Sequence, residues 1–201
     1  MEMVIYMKEI VIATKNKHKI EEMKAVLIPI GYDVLSLFDF DEFPEIIEDQ
    51  DSFKGNAMKK AKELSDYLNK TVISDDSGLE VEALEGAPGI FSARYAGDNA
   101  SYEDNNELLL LSMKHKENRT ARFVTSLCVY FRDKEPIFIE QYLYGSIAKD
   151  YKGANGFGYD PIFIVKEDGR RLAEYTMEEK NAISHRGKCL KELIPILENI
   201  K

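Results

Sequence analysis

Two β-rich runs, TARFVTSLCVYF at 120–131 and IFIEQYLYGSI at 137–147, are separated only by RDKEP, residues 132–136. A connection that short closes an antiparallel hairpin, whereas a parallel pair needs a crossover of a dozen or more residues. The pair therefore excludes a sheet made purely of alternating strands and helices. Elsewhere the chain does alternate. EIVIAT (9–14) reads as a short buried strand, followed from about Lys17 by a helix with Ile20, Met23, Leu27 and Val26 on its inner side, ended by Pro29 and Gly31. DVLSLF (33–38) is the next strand candidate. A helix over about Ser52–Leu68 carries Phe53, Ala57, Ala61, Leu64 and Leu68 at three- and four-residue steps, with lysines between them. TVIS (71–74) reads as a strand and LEVEAL (79–84) as a half-exposed one, before a GAPG turn at 86–89.

Ser101 with Asp104 starts a further helix whose core face is Leu108 to Leu111. IFIV (162–165) is a strand after a glycine-rich loop. Thr176 with Glu179 forms a capping box, and a last helix runs from about Ser184 through Leu197, with Pro195 expected to kink or interrupt it. The fold class is mixed α/β with α+β character, a mixed sheet flanked by helices. The 201 residues suit one large domain or two intimate lobes, with no repeat or linker.

A net charge of −9 argues against binding polymeric nucleic acid, so a phosphate ligand needs a local basic pocket or a metal ion. Cys128 and Cys189 lack metal-ligand spacing and read as reduced thiols of a cytoplasmic protein. The N-terminal MEMVIYMKEIVIAT is interrupted by Glu2, Lys8 and Glu9, which predicts neither a signal peptide nor a membrane span; Met7 offers an alternative start.

Four segments carry chemistry. ATKNKHK (13–19) joins a strand to a helix, where free backbone N–H groups and Lys15, Lys17, His18 and Lys19 make a credible phosphate cradle, although taken alone the segment reads first as a capped helix start with solvated lysines. It lacks the Walker spacing. SDDSG (74–78) drives a strand into two aspartates. In a continuing strand Asp75 and Asp76 would face opposite sides. Ser-Gly instead predicts a strand end and a turn, with one aspartate facing a ligand and Mg²⁺ the natural partner for it. A turn-capping pair is the bland alternative. GANGFGYDP (153–161) lets backbone approach a ring, with Phe157 or Tyr159 free to stack on a base or to pack in the core. EEKNAISHRG (178–187) groups Lys180, His185 and Arg186 at the opening of the last helix. The acidic run at 39–51 reads mainly as a solvated loop.

Together and in this order, these segments resemble the inosine-triphosphate pyrophosphatase family. The similarity runs from IVIATKNKHKIEEM to ISHRGKCLKEL, and SDDSGLEVEALEGAPGIFSARYAG, GFGYDPIF and EEKNAISHRG are its most specific parts. The resemblance implies an elongated mixed sheet with helices around it, two lobes flanking a cleft, and a homodimer. It implies that Thr14, Asn16 and Lys19, within the loop that includes Lys15, Lys17 and His18, grip the triphosphate, with Lys15 standing where the family usually has glycine. It implies Glu48 and Asp76 as Mg²⁺ ligands, Asp76 also as the catalytic carboxylate, and Ser77 as a substrate contact. Phe157, Gly158, Tyr159 and Asp160 match the base-binding loop, with Phe157 as the stacking ring, and Lys180, His185 and Arg186 match the remaining nucleotide contacts.

The implied reaction is attack of water at the α-phosphorus of a purine nucleoside triphosphate such as ITP, dITP or XTP, releasing pyrophosphate. A buried donor, Arg186 or a loop N–H, would select the 6-keto group over the amino group of adenine. A pyrophosphatase for modified pyrimidine nucleotides, a nucleotide sensor without turnover and an interaction protein are the competing classes. Glu48 and Asp76 together favour the enzyme over a sensor.

Overall fold

A computed structural model describes residues 8–199; Met7 lies outside the described residues. In chain order the elements are β1 (Lys8–Ile12), α1 (Lys17–Leu27), β2 (Tyr32–Ser36), α2 (Phe53–Leu68), β3 (Val72–Val81), β4 (Pro88–Gly89), α3 (Tyr102–Ser112), β5 (Thr120–Tyr130), β6 (Ile137–Ile147), β7 (Phe163–Val165), α4 (Met177–Ile183) and α5 (His185–Asn199). Seven strands form one sheet in the order β2-β1-β3-β5-β6-β7, with the two-residue β4 paired to β3. The β1–β2 and β1–β3 pairs are parallel, and the β3–β4 and β6–β7 pairs antiparallel. The sheet is mixed, as expected.

The chain divides into two compact units. One holds the residues up to Asp75, Leu127–Ile139 and those from Leu190 on; the other holds Asp76–Ser126 and Glu140–Cys189. Strands β3, β5 and β6 each run from one unit into the other. The boundary in β3 is the Asp75–Asp76 peptide bond. In the first unit Val11, Ala57, Ala61, Leu64, Val72 and Cys128 pack together. In the second, Leu79, Leu109, Phe123, Leu143, Tyr159, Phe163 and Leu172 do.

Local signals account for most helix starts. Asn16, Ser52, Ser101 and Thr176 cap α1, α2, α3 and α4 with their side chains, and the last two close full capping boxes with Asp104 and Glu179. Each cap satisfies a helix-start N–H that would otherwise lack a partner.

Four sequence expectations are corrected. TVIS and LEVEAL are not separate strands: β3 runs unbroken through Asp75, Asp76, Ser77 and Gly78 to Val81, ahead of a 3-10 turn at Glu82–Leu84. Glycine and serine favour turns, but an extended backbone admits both, and the neighbouring strands supply the ladder. Residues Leu37–Asp39 form a 3-10 turn and not the end of a strand. In α3 the buried residues are Asn105, Asn106 and Leu109, while Leu111 is exposed. A helix turns about 100° per residue, so four consecutive leucines cannot share one face. The segment EEKNAISHRG spans two helices, α4 and the start of α5, with Ser184 extended between them. Helix α5 continues through Pro195 to Asn199, so of the kink or interruption expected there the interruption does not occur.

Candidate active site

The first unit brings together the loop after β1, the acidic loop before α2 and the first half of β3. Asn16 organises the β1–α1 junction. Its backbone N–H donates to Thr14 Oγ1 (3.1 Å), and its Oδ1 accepts from the N–H groups of His18 (3.0 Å) and Lys19 (3.4 Å). The expected free N–H cradle is thus largely self-capped, and positive charge at this junction comes from side chains. Lys15 needs no positive φ: among the described non-glycine residues only Asn69 and Glu85 have one. A lysine in place of glycine is therefore accommodated without backbone strain. The ammonium groups of Lys15 and Lys17 lie 5.1 and 5.9 Å from the ring centres of Phe43 and Phe38, within cation–π range.

Lys19 points the other way. Its Nζ is 2.9 Å from Asp75 Oδ2, and the Asp75 side chain is fully buried. A carboxylate taken out of water requires such a partner. A second lysine serves the same stretch of β3. Lys60 Nζ donates to Glu48 Oε1 (2.6 Å) and to the main-chain oxygen of Asp75 (2.7 Å). The acidic loop is held for this contact by buried Asn56, whose Oδ1 accepts the Gln50 N–H at 3.0 Å. Ser74 Oγ fixes β3 to α2 by donating to the Ala57 carbonyl at 2.5 Å. Glu48, which a solvated-loop reading would discard, is therefore tied into the structure.

The second unit begins at Asp76. Because β3 stays extended, the side chains of Asp75 and Asp76 leave opposite faces of the strand. Asp76 is 5% exposed and its Oδ1 accepts the Ser77 N–H at 3.1 Å. Ser77 Oγ is 2.7 Å from Thr125 Oγ1 and accepts from Arg186 Nη2 at 3.2 Å.

The glycine-rich loop is built around Asp160. Its Oδ2 accepts from the Phe157 N–H (2.9 Å) and from Lys180 Nζ (2.7 Å), with side-chain exposures of only 4% and 7% for the two charged partners. Gly156, at φ +77°, leaves room for this carboxylate: a Cβ there would lie 2.0 Å from Asp160 Oδ2. Phe157 is half-buried. Lys180 Nζ stands 4.4 Å and Arg186 Cζ 5.9 Å from its ring centre, and the Tyr102 ring lies 6.0 Å away. A π face flanked by cations and another aromatic suits a stacked base.

Tyr159 is different. Its ring belongs to the core and its hydroxyl donates to the Ser92 carbonyl at 2.9 Å; burial pushes that phenol above its ordinary range. Of the two candidate stacking rings, Phe157 alone lies outside the core; the Tyr159 ring is not available to stack. His185 is also inside, its ring stacked on Phe123 at 4.7 Å. Gly187 permits the sharp α4–α5 junction that presents Arg186, since a Cβ there would meet the Asn181 carbonyl at 1.8 Å.

Two functional candidates escaped the sequence reading. Lys60 follows Ala57 by three residues and precedes Leu64 by four, which places a lysine on the buried face of α2; that position was the available signal. Asn106 is buried in α3, where a run of leucines drew attention instead.

The Ham1 family model matches residues 10–196. The dITP/XTP pyrophosphatase of Bacillus subtilis is 46% identical over 196 residues, covering 96% of this chain and 99% of that protein. That of Geobacter sulfurreducens is 43% identical over 186 residues, covering 92% and 94%. Among solved structures, the Staphylococcus aureus Ham1 protein is 41% identical with a TM-score of 0.88, covering 96% of this chain and all of that one. A Coxiella burnetii HAM1 protein is 37% identical, also with a TM-score of 0.88, over 95% and 98% of the two chains. With a matching sheet, helices and sequence along nearly its whole length, the chain belongs to the Ham1 family.

Proposed function

We propose that this protein hydrolyses non-standard purine nucleoside triphosphates, ITP, dITP and XTP, to the monophosphate and pyrophosphate, removing them from the nucleotide pool. Relatives that are dITP/XTP pyrophosphatases support the substrate class. The observation that carries the chemistry is the pair of lysines on one strand residue: Lys19 on the Asp75 carboxylate and Lys60 on its carbonyl, one peptide bond before Asp76.

An ammonium group has three donors. Lys19 and Lys60 hold β3 in place, and their positive charge offsets the charge that develops on departing pyrophosphate. Asp75, engaged by Lys19 and facing away from Asp76, is the structural member of the pair. Asp76 orients the water and takes its proton as the new P–O bond forms at the α-phosphorus and the α–β anhydride bond breaks. Phe157 stacks on the purine, with Lys180 and Arg186 beside it, and Ser77 with Arg186 completes the contacts.

Glu48 and Asp76 would hold Mg²⁺. Among the described residues no cluster of three or more carboxylate, histidine or cysteine groups is placed to bind a metal. Two carboxylates suit an ion that takes its remaining ligands from phosphate and water, the usual habit of Mg²⁺. When bound, the ion neutralises phosphate charge and helps align the leaving group. We extend the reading to a cytoplasmic homodimer; two buried free thiols support the compartment. No helix among the described residues is long and apolar enough to cross a membrane.

The test is pyrophosphate release from ITP, XTP and ATP with and without Mg²⁺. The keto substrates should exceed ATP by at least about 10²-fold in kcat/KM. Orthophosphate as first product, or equal rates on ATP, would overturn the proposal.

A further inference from the structure

The main-chain groups of the loop at Phe157–Asp160 are unequally employed. Every carbonyl of its first three residues is occupied: Phe157 O accepts from the Asp160 N–H (3.3 Å), Tyr159 O from the Ile162 N–H (3.1 Å), and Gly158 O from Asn106 Nδ2 (2.9 Å). The Phe157 N–H is used on Asp160. Among the described residues no protein acceptor takes the N–H of Gly158 or of Tyr159. Of the loop's main-chain groups, two neighbouring N–H donors are thus unengaged, while each of these three carbonyls already has a protein donor. One of the three acceptors is silenced by a side chain rather than by the loop's own turn, and that side chain is Asn106.

Asn106 is 2% exposed, and its Oδ1 accepts from no protein donor. The amide orientation is fixed by chemistry, because only its NH₂ end can face a carbonyl oxygen. A buried acceptor left unsatisfied destabilises a fold. For stability alone, an apolar side chain of similar size would serve α3 better. What the asparagine does that leucine cannot is engage the Gly158 carbonyl.

We infer that Asn106 is a specificity-determining positioning residue, which holds the Gly158 carbonyl away from the ligand so that the base loop presents donors only. The inference rests on the proposed reading that this loop receives the purine. Two adjacent donors match the O6 and N7 acceptors of hypoxanthine and xanthine, and they mismatch adenine, whose N6 amino group is itself a donor. Freeing the Gly158 carbonyl returns an acceptor that can pair with the adenine amino group.

The test is Asn106→Leu, with kcat/KM measured on ITP and ATP and the melting temperature recorded. The ITP-to-ATP ratio should fall about ten-fold, the worth of one hydrogen bond, while the melting temperature holds or rises because the unsatisfied Oδ1 is gone. A ratio within two-fold of wild type overturns the inference, whatever the melting temperature does. Asn106→Ala, read by the same ratio, covers poor folding of the leucine variant, since the ratio does not depend on the fraction of active enzyme. Failure of the underlying reading looks different: wild type itself would not distinguish ITP from ATP.

Discussion

Lys60 Nζ lies 2.7 Å from the carbonyl oxygen of Asp75 and 2.6 Å from Glu48 Oε1, so one ammonium joins the acidic loop to the strand that carries Asp76. Lys60→Met removes that charge while keeping most of the side-chain volume. The expected result is a fall in kcat of about 10²-fold or more on ITP, the scale seen when one preorganised donor is lost at a developing charge. Steady-state pyrophosphate release checks it. A variant with wild-type kcat would show that Lys60 only braces the fold.

Lys19 and Asp75 form a different kind of contact, an ion pair whose carboxylate is fully buried. Breaking it from one side leaves a buried charge short of its partner. Lys19→Met should therefore destabilise the protein by about 3 kcal/mol, a drop of roughly 6–12 °C in melting temperature for a chain of this size. Adding Asp75→Asn to Lys19→Met should recover much of the loss, because the orphaned charge disappears with it. Equal melting temperatures for wild type and the single variant would mean that the pair is not a structural strut.

Asp76 should behave in the opposite way. It is placed here as the group that takes the proton of the attacking water. Asp76→Asn should lower kcat by about 10²–10⁴-fold, the usual worth of general acid–base catalysis, with a melting temperature near that of wild type. Near-full turnover with Mg²⁺ present would remove Asp76 from that role.

How much of this could be read from the chain depends on how local the signal is. The start of α2 was legible because Ser52 caps it and Phe53, Ala57, Ala61 and Leu64 repeat along one face within four turns. The pairing of β5 with β6 was legible because the six residues between them cannot make a crossover. The continuity of β3 was not. Ser77 and Gly78 look like a turn locally, and the hydrogen-bond partners that keep them extended come from distant sequence. Lys60 was hidden for a related reason: a lysine reads as solvated until Glu48 and Asp75, twelve and fifteen residues away, are folded around it. Tyr159 could equally stack or pack by composition, and only the core formed around Ser92 and Phe163 decides. The assignments of Glu48 and Asp76 came from family resemblance, not from spacing.

Gly156 tests the base loop without touching a ligand-facing side chain. At φ +77°, with a Cβ position 2.0 Å from Asp160 Oδ2, alanine there is strained twice over. It should displace the carboxylate that holds both Lys180 and the Phe157 N–H. The proposed stacking on Phe157 would bind the ground state and the transition state alike, so KM for ITP should rise about ten-fold or more with a smaller change in kcat. An unchanged KM would dissociate the Asp160 strut from base binding.

Cys128 gives a prediction that turns on pH. Burial pushes its thiol up to about 12, with nearby Lys54 acting in the opposite direction. At pH 8 the folded protein therefore holds Cys128 almost wholly as the unreactive thiol, and iodoacetamide should leave it unmodified until the chain is unfolded. The sign of the linkage follows from the same shift. With the folded-state value raised above that of an unfolded cysteine, about 8.5, the folded state retains a proton that the unfolded state releases. The stabilisation is complete below pH 8.5 and is lost progressively as pH rises toward 12. Urea melts between pH 8 and 10 should show this decline, and Cys128→Ala should flatten it. Rapid alkylation of native protein at pH 8, located to Cys128 by peptide mass, would show that the thiol is neither sealed nor desolvated.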